Sequence, residues 1–163
     1  MRTVYLIGFM GSGKSTVGEL LHRKSGISYL DTDQMVVDQY GDIASIFEKE
    51  GETQFRAYET EMLTRIPDKN YVVSTGGGIV EREENHTLMK QNGMIIHLDT
   101  SFDEITGRLG EDPTRPLWGQ YDSDKYKLYI HRRNCYTTLA DFTIMTDQKT
   151  PETIVTEMMA FLS

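Results

Sequence analysis

Cysteine is nearly absent from this chain. Its one copy, Cys135, excludes an internal disulfide and suits a reducing compartment. Positive charge is also short: 17 Lys and Arg stand against 25 Asp and Glu, a net charge of −8. That balance argues against nucleic acid or an anionic membrane as partner, since both need basic surface. No run approaches the ~20 apolar residues that cross a bilayer. The N-terminus enters a strand-like run with no charged leader and long apolar stretch, so the expected location is the cytoplasm. Proline is scarce, with four copies, and no Pro/Ser-rich linker or internal repeat divides the chain. One domain over residues 1–163 is expected. The four histidines (22, 86, 97 and 131) have no metal-ligand spacing.

What is present begins with Gly8-Phe9-Met10-Gly11-Ser12-Gly13-Lys14-Ser15, a match to G-x-x-x-x-G-K-[ST]. Glycines let backbone N–H groups turn toward anionic oxygens, and the next helix points its positive end at them. Lys14 would reach the β- and γ-phosphates of a nucleotide, and the Ser15 hydroxyl would ligate Mg²⁺. The apolar run Val4–Ile7 precedes the loop and a helical pattern follows it, which is the context this motif requires.

Apolar runs of strand length alternate with helical patterns through the rest of the chain. Strands are expected at 3–8, 27–31, 70–75, 93–99 and 141–146. Helices are expected at 14–25, 33–39, 42–50, 52–65, 81–91, 101–109, 123–139 and 151–162. The alternation implies a parallel sheet covered on both faces by helices. Only Gly110–Gln120, with two prolines, two glycines and Trp118, lacks a usable period. A loop of that length suits a lid.

Most remaining signals follow expected strands, at the carboxyl edge where open α/β folds bind ligands. Asp31 and Asp33 would share a face if extended, and could orient hydrated Mg²⁺ and accept a hydroxyl proton. Alternatively, Asp33 caps the next helix. Arg56 could grip a carboxylate in a bidentate fork, or pair on its own helix with Glu59 or Glu52. Gly76-Gly77-Gly78 implies unusual dihedrals, a very close approach, or a flexible turn. Ser74 or Thr75 could join the Mg²⁺ water shell. Arg115 would close over the transferring phosphoryl group, and Arg108 is placed to stack on a base. Of Arg132 and Arg133, one is expected to face inward.

Together these segments resemble the shikimate kinase family over nearly the whole chain. Gly8–Thr16 is similar to its phosphate loop, Asp31-Thr32-Asp33 to its D-x-D, and Gly51–Arg56 to its G-E-x-x-F-R. Ser74–Gly78 is similar to its triple-glycine motif, Arg115-Pro116-Leu117 to its lid R-P-L, and Arg132 with Tyr136 to its R-x-x-x-Y. The resemblance implies a three-layer α/β/α sandwich of the P-loop kinase type, with strand order 2-3-1-4-5. It places a lid near 110–122 and acceptor-binding helices near 33–65. It implies transfer of the ATP γ-phosphoryl group to the 3-hydroxyl of shikimate, within aromatic amino-acid biosynthesis, by a monomer using one Mg²⁺.

Gly11, Ser12, Gly13, Lys14, Ser15, Thr16, Arg108, Arg115, Lys149 and Pro151 would then contact ATP. Asp33, Arg56, Gly77, Gly78 and Arg132 would bind shikimate. Ser15 and Asp31 would serve the metal, and Lys14, Asp31, Asp33 and Arg115 the transfer. Trp118 and His97 depart from the family, standing where aliphatic residues are usual. The alternatives are a gluconate-type kinase, a nucleotide-dependent switch or hydrolase, and a catalytically silent homologue.

Overall fold

The computed structural model describes residues 1–110 and 123–163. Residues 111–122, which include Arg115, Trp118 and most of the expected lid, lie outside the described residues. In chain order the elements are β1 (Thr3–Ile7), α1 (Lys14–Ser25), β2 (Ser28–Asp31), α2 (Thr32–Tyr40), α3 (Ile43–Glu50), α4 (Glu52–Thr64) and β3 (Tyr71–Ser74). A 3₁₀ turn (Gly77–Glu81) follows, then α5 (Glu83–Asn92), β4 (Gly93–Asp99), α6 (Phe102–Gly110), α7 (Ser123–Leu139), β5 (Phe142–Met145) and α8 (Pro151–Leu162).

The strands form one five-stranded sheet in the order β2-β3-β1-β4-β5, every neighbouring pair parallel. Strand order and layering match the expected P-loop kinase sandwich. Alternation along the strands divides the core. Val4, Leu6, Ile96 and Leu98 face α1 and α8, meeting Val17, Leu21, Val155 and Met158. Tyr5, Ile7, Val73 and Ile95 face the other layer, meeting Met89, Ile105, Tyr129 and Tyr136 of α5, α6 and α7. A third, smaller core of Val36, Ile46, Phe55 and Met62 ties α2, α3 and α4 together at the β2 end.

Two local expectations are corrected. The helix expected from residue 81 begins at 83, because the glycine run first closes an i→i+3 turn, Ile79 N–H donating to Gly76 O at 3.1 Å. The cap of α2 is Asp31, not Asp33. Asp31 keeps extended backbone (φ −126°, ψ 120°) and accepts the Gln34 N–H at 3.1 Å, whereas Asp33 lies inside the first turn. The two aspartates therefore do not share a face by strand alternation. They reach the same cleft because the chain turns from strand into helix between them.

Candidate active site

The carboxyl ends of β1, β2 and β3 open on a cleft of about 240 Å³ lined by residues including Gly11, Gly13, Lys14, Ser15, Thr16, Asp31, Asp33, Gly76 and Gly77. Its floor is the loop from β1 to α1. Gly11 and Gly13 have φ of +82° and +91°, a left-handed backbone that favours glycine. At Gly8 a Cβ would lie 2.7 Å from Leu98 O and 2.8 Å from the Ser12 Oγ, so glycine is needed there for close packing. Lys14 folds back over the loop, its Nζ donating to the carbonyls of Gly8 at 2.7 Å and Phe9 at 3.1 Å. The first N–H groups of α1 have no partner within the helix and point the same way. Ammonium, the N–H groups of the helix start and the helix dipole together make an anion cradle.

On the β2 side, the Ser15 hydroxyl donates to Asp31 Oδ2 at 3.2 Å and lies 3.3 Å from Ser74 Oγ. Asp31 and Ser74 are register partners at neighbouring strand ends, so sheet geometry itself gathers the three oxygens. Thr75 is otherwise engaged: its hydroxyl donates to Leu6 O at 2.8 Å. Among the described residues, no group of three or more His, Cys, Asp or Glu could hold a metal. A hydroxyl and one carboxylate suit a hard cation that takes its remaining ligands from phosphate oxygens and water.

The opposite side is built around the glycine run. Gly76, Gly77 and Gly78 have no positive φ; closeness, not unusual dihedrals, is what requires Gly76 and Gly78. A Cβ on Gly76 would sit 2.7 Å from Asp33 Oδ1 and 2.9 Å from Glu59 Oε2, and one on Gly78 only 2.3 Å from Arg56 Nη1. At Gly77 it would lie 3.4 Å from the Met10 backbone nitrogen and 3.6 Å from Arg132 Nη1. The phosphate loop and an arginine of α7 thus both come close to the side of Gly77 where a Cβ would stand.

Arg56 donates to Glu59 Oε1 at 2.7 Å and to Glu52 Oε1 at 3.3 Å. Burial works against its charge, but the two glutamates more than offset it and leave its pKa raised. Burial likewise pushes the Glu59 carboxyl up, with Arg56 pulling it back down. Arg132 is 8% exposed. The Nε atoms of Arg56 and Arg132 are both buried without a hydrogen-bond partner, and Arg132 Nε lies 3.9 Å from Glu81 Oε1. Tyr136, one turn beyond Arg132, donates its hydroxyl to Gly77 O and steadies the ledge.

Other expected contacts are less direct. Arg108 donates to Gly11 O at 3.0 Å and pairs with Glu104 at 3.2 Å, so it braces the phosphate loop. Lys149 turns to Glu157 at 2.9 Å, and Pro151 opens α8; neither lines the cleft. Arg133 grips Asp99 with two 2.9 Å bonds. The role of Glu59 as a buried anchor was not legible in sequence. Its only signals are the i+3 spacing from Arg56 and the missing side chain at Gly76.

A family model for shikimate kinase matches residues 10–163. The chain belongs to the shikimate kinase family. A shikimate kinase of Bacillus cereus (strain AH187) is 40% identical over 159 residues, covering 97% of this chain and 96% of the relative. One from Persephonella marina is 43% identical over 161 residues, covering 98% of each. Among solved structures, the shikimate kinase from Acinetobacter baumannii in complex with shikimate superposes with a TM-score of 0.90 at 32% identity, covering 99% of this chain and 93% of that one. The enzyme from Aquifex aeolicus gives 0.87 at 40% identity, covering 98% and 95%. Shikimate kinase membership makes the chain an ATP-dependent kinase that phosphorylates shikimate.

Proposed function

We propose that the chain transfers the ATP γ-phosphoryl group to the 3-hydroxyl of shikimate, with the donor on the Gly8–Ser15 loop and the acceptor on the Gly76–Gly78 ledge. The observation that carries this reading is the pair of buried guanidinium nitrogens with no hydrogen-bond partner, Arg56 Nε and Arg132 Nε, beside the glycine ledge; the nearest carboxylate to the second is Glu81, at 3.9 Å. Buried donors are nearly always satisfied. Two left open beside one cleft suit an anionic ligand, and shikimate is a carboxylate. The acceptor of the Acinetobacter complex is shikimate itself.

In-line phosphoryl transfer asks mainly for positioning and charge stabilisation. Gly11, Ser12, Gly13 and Thr16 would hold the phosphates through backbone and hydroxyl donors, and Lys14 would leave the loop carbonyls for the β- and γ-oxygens. Ser15 and Asp31 would hold one Mg²⁺, Asp31 through water; when bound, the ion offsets phosphate charge. Asp33, at the lip of the ledge, would orient the acceptor hydroxyl and take its proton. Arg56 and Arg132 would fix the carboxylate. Arg108 would frame the adenine side, with Lys149 and Pro151 behind the base, and Arg115 would cover the transferred group. The activity belongs to aromatic amino-acid biosynthesis.

Steady-state kinetics of Arg56→Ala test the acceptor assignment. The Michaelis constant for shikimate should rise tenfold or more, equivalent to losing about 1.4 kcal/mol or more of binding, while that for ATP stays within twofold. An unchanged shikimate constant would remove Arg56 from the acceptor site.

A further inference from the structure

The guanidinium of Arg56 is held at two of its corners by carboxylates of very different character. Nη1 donates to Glu59 Oε1 at 2.7 Å, while Nη2 donates to Glu52 Oε1 at 3.3 Å and the buried Nε has no partner. Nε and Nη2 lie along one edge of the guanidinium plane, an edge that can receive a carboxylate through two parallel N–H···O bonds. Glu59 grips the corner away from that edge. Glu52 holds Nη2, one of the two nitrogens of that edge.

The two glutamates would lose very different amounts on release. Glu59's side chain is 1% exposed, so parting it from Arg56 would strand two buried charges, which is strongly unfavourable. Glu52's side chain is 64% exposed and its contact is long. Exposed helical pairs four residues apart contribute little. Glu52 also has somewhere to go. It opens the first turn of α4, whose N-cap Gly51 offers no side-chain acceptor. Once displaced, its carboxylate returns to water and to the positive end of the helix, where negative charge is favoured.

We infer that Glu52 is a displaceable placeholder on the acceptor-docking edge of Arg56, and that the incoming carboxylate of the acceptor must push it aside. The inference rests on the assignment of Arg56 to the acceptor carboxylate. While the site awaits substrate, Glu52 keeps the half-open guanidinium paired and aligned over Gly78. In exchange it competes with the acceptor and raises its Michaelis constant. An uncharged carboxamide can accept from Nη2 only through a neutral, weaker hydrogen bond, so it would respond to Glu52 much less.

The test is steady-state kinetics of Glu52→Gln and Glu52→Ala with shikimate and with its uncharged carboxamide. Both variants should lower the Michaelis constant for shikimate two- to fivefold, with that for ATP and kcat within twofold, and change the carboxamide's constant by clearly less. A shikimate constant that is unchanged or higher in both variants overturns the inference, as does an equal fall with the carboxamide. Arg56→Ala, run alongside, separates the two levels. No effect there withdraws the acceptor assignment itself; a raised constant there, with no response to substitution at Glu52, withdraws only the placeholder.

Discussion

His97 places an ionisable ring inside an apolar layer. It faces the same side of β4 as Ile95, is 1% exposed, leaves Nδ1 without a partner, and packs its ring 5.2 Å from that of Tyr136. Burial holds its pKa down to about 4; Asp99 pulls it upward, and Arg133 and Lys14 push it further down. In the unfolded chain the same ring titrates near 6.5. Between those values the unfolded state binds the proton that the folded state refuses, so acidification from about pH 6.5 to 4 favours unfolding. Above that window His97 contributes nothing to the slope. The full effect is on the order of 3 kcal/mol. His97→Leu should therefore flatten the fall of melting temperature between pH 6.5 and 4, relative to the parent protein. Parallel melting curves across that window would show that His97 is not held neutral. Sequence showed only a histidine without metal spacing among apolar neighbours, because burial and the contact with Tyr136 come from α7 folding across β4. Asp99 with Arg133 was hidden for the same reason: spacing names the residues but not which helix face meets which strand end. Glu59 with Arg56 was legible from helical spacing, but its burial was not.

At the scale of elements, the glycine run and α4 form one device. Arg56 lies on α4 and reaches over Gly78, where a Cβ would meet Nη1, Cζ and Nη2 at 2.3–2.5 Å. Gly78→Ala must displace the guanidinium, because the added atom meets the charged end of a side chain already gripped by Glu59. The Michaelis constant for shikimate should rise about tenfold, roughly 1.4 kcal/mol of binding, with that for ATP within twofold. If both constants stayed put, close approach would not explain the glycine. This element was half legible. Three consecutive glycines announced crowding, but the group doing the crowding is brought in from twenty residues earlier. Strand positions were legible to within a residue or so, because buried parallel strands are unbroken apolar runs. The 3₁₀ turn was not, since five residues are too short to show a period. The cap of α2 slipped from Asp33 to Asp31 because either aspartate suits a cap, and only the end of the β2–β3 ladder decides between them.

For the whole molecule, an excess of eight negative charges coexists with a cleft lined by Lys14 and with Arg56 and Arg132 beside the glycines at its edge. Long-range steering cannot draw anionic substrates to such a surface, so affinity rests on local placement of cations and N–H groups. No helix among the described residues is long and apolar enough to cross a membrane. The phosphate loop was legible from its residues because its chemistry is contiguous in sequence; the proposed acceptor side was legible only through the family resemblance, because it would be assembled from α2, α4, the glycine run and α7. That assembly is the central claim, and a coupled assay of ADP release tests it most directly. With ATP and Mg²⁺, release should depend on shikimate and stay at background with gluconate or with no acceptor. Release driven by gluconate alone, or at the same rate with no acceptor, or absent with all three, would contradict it.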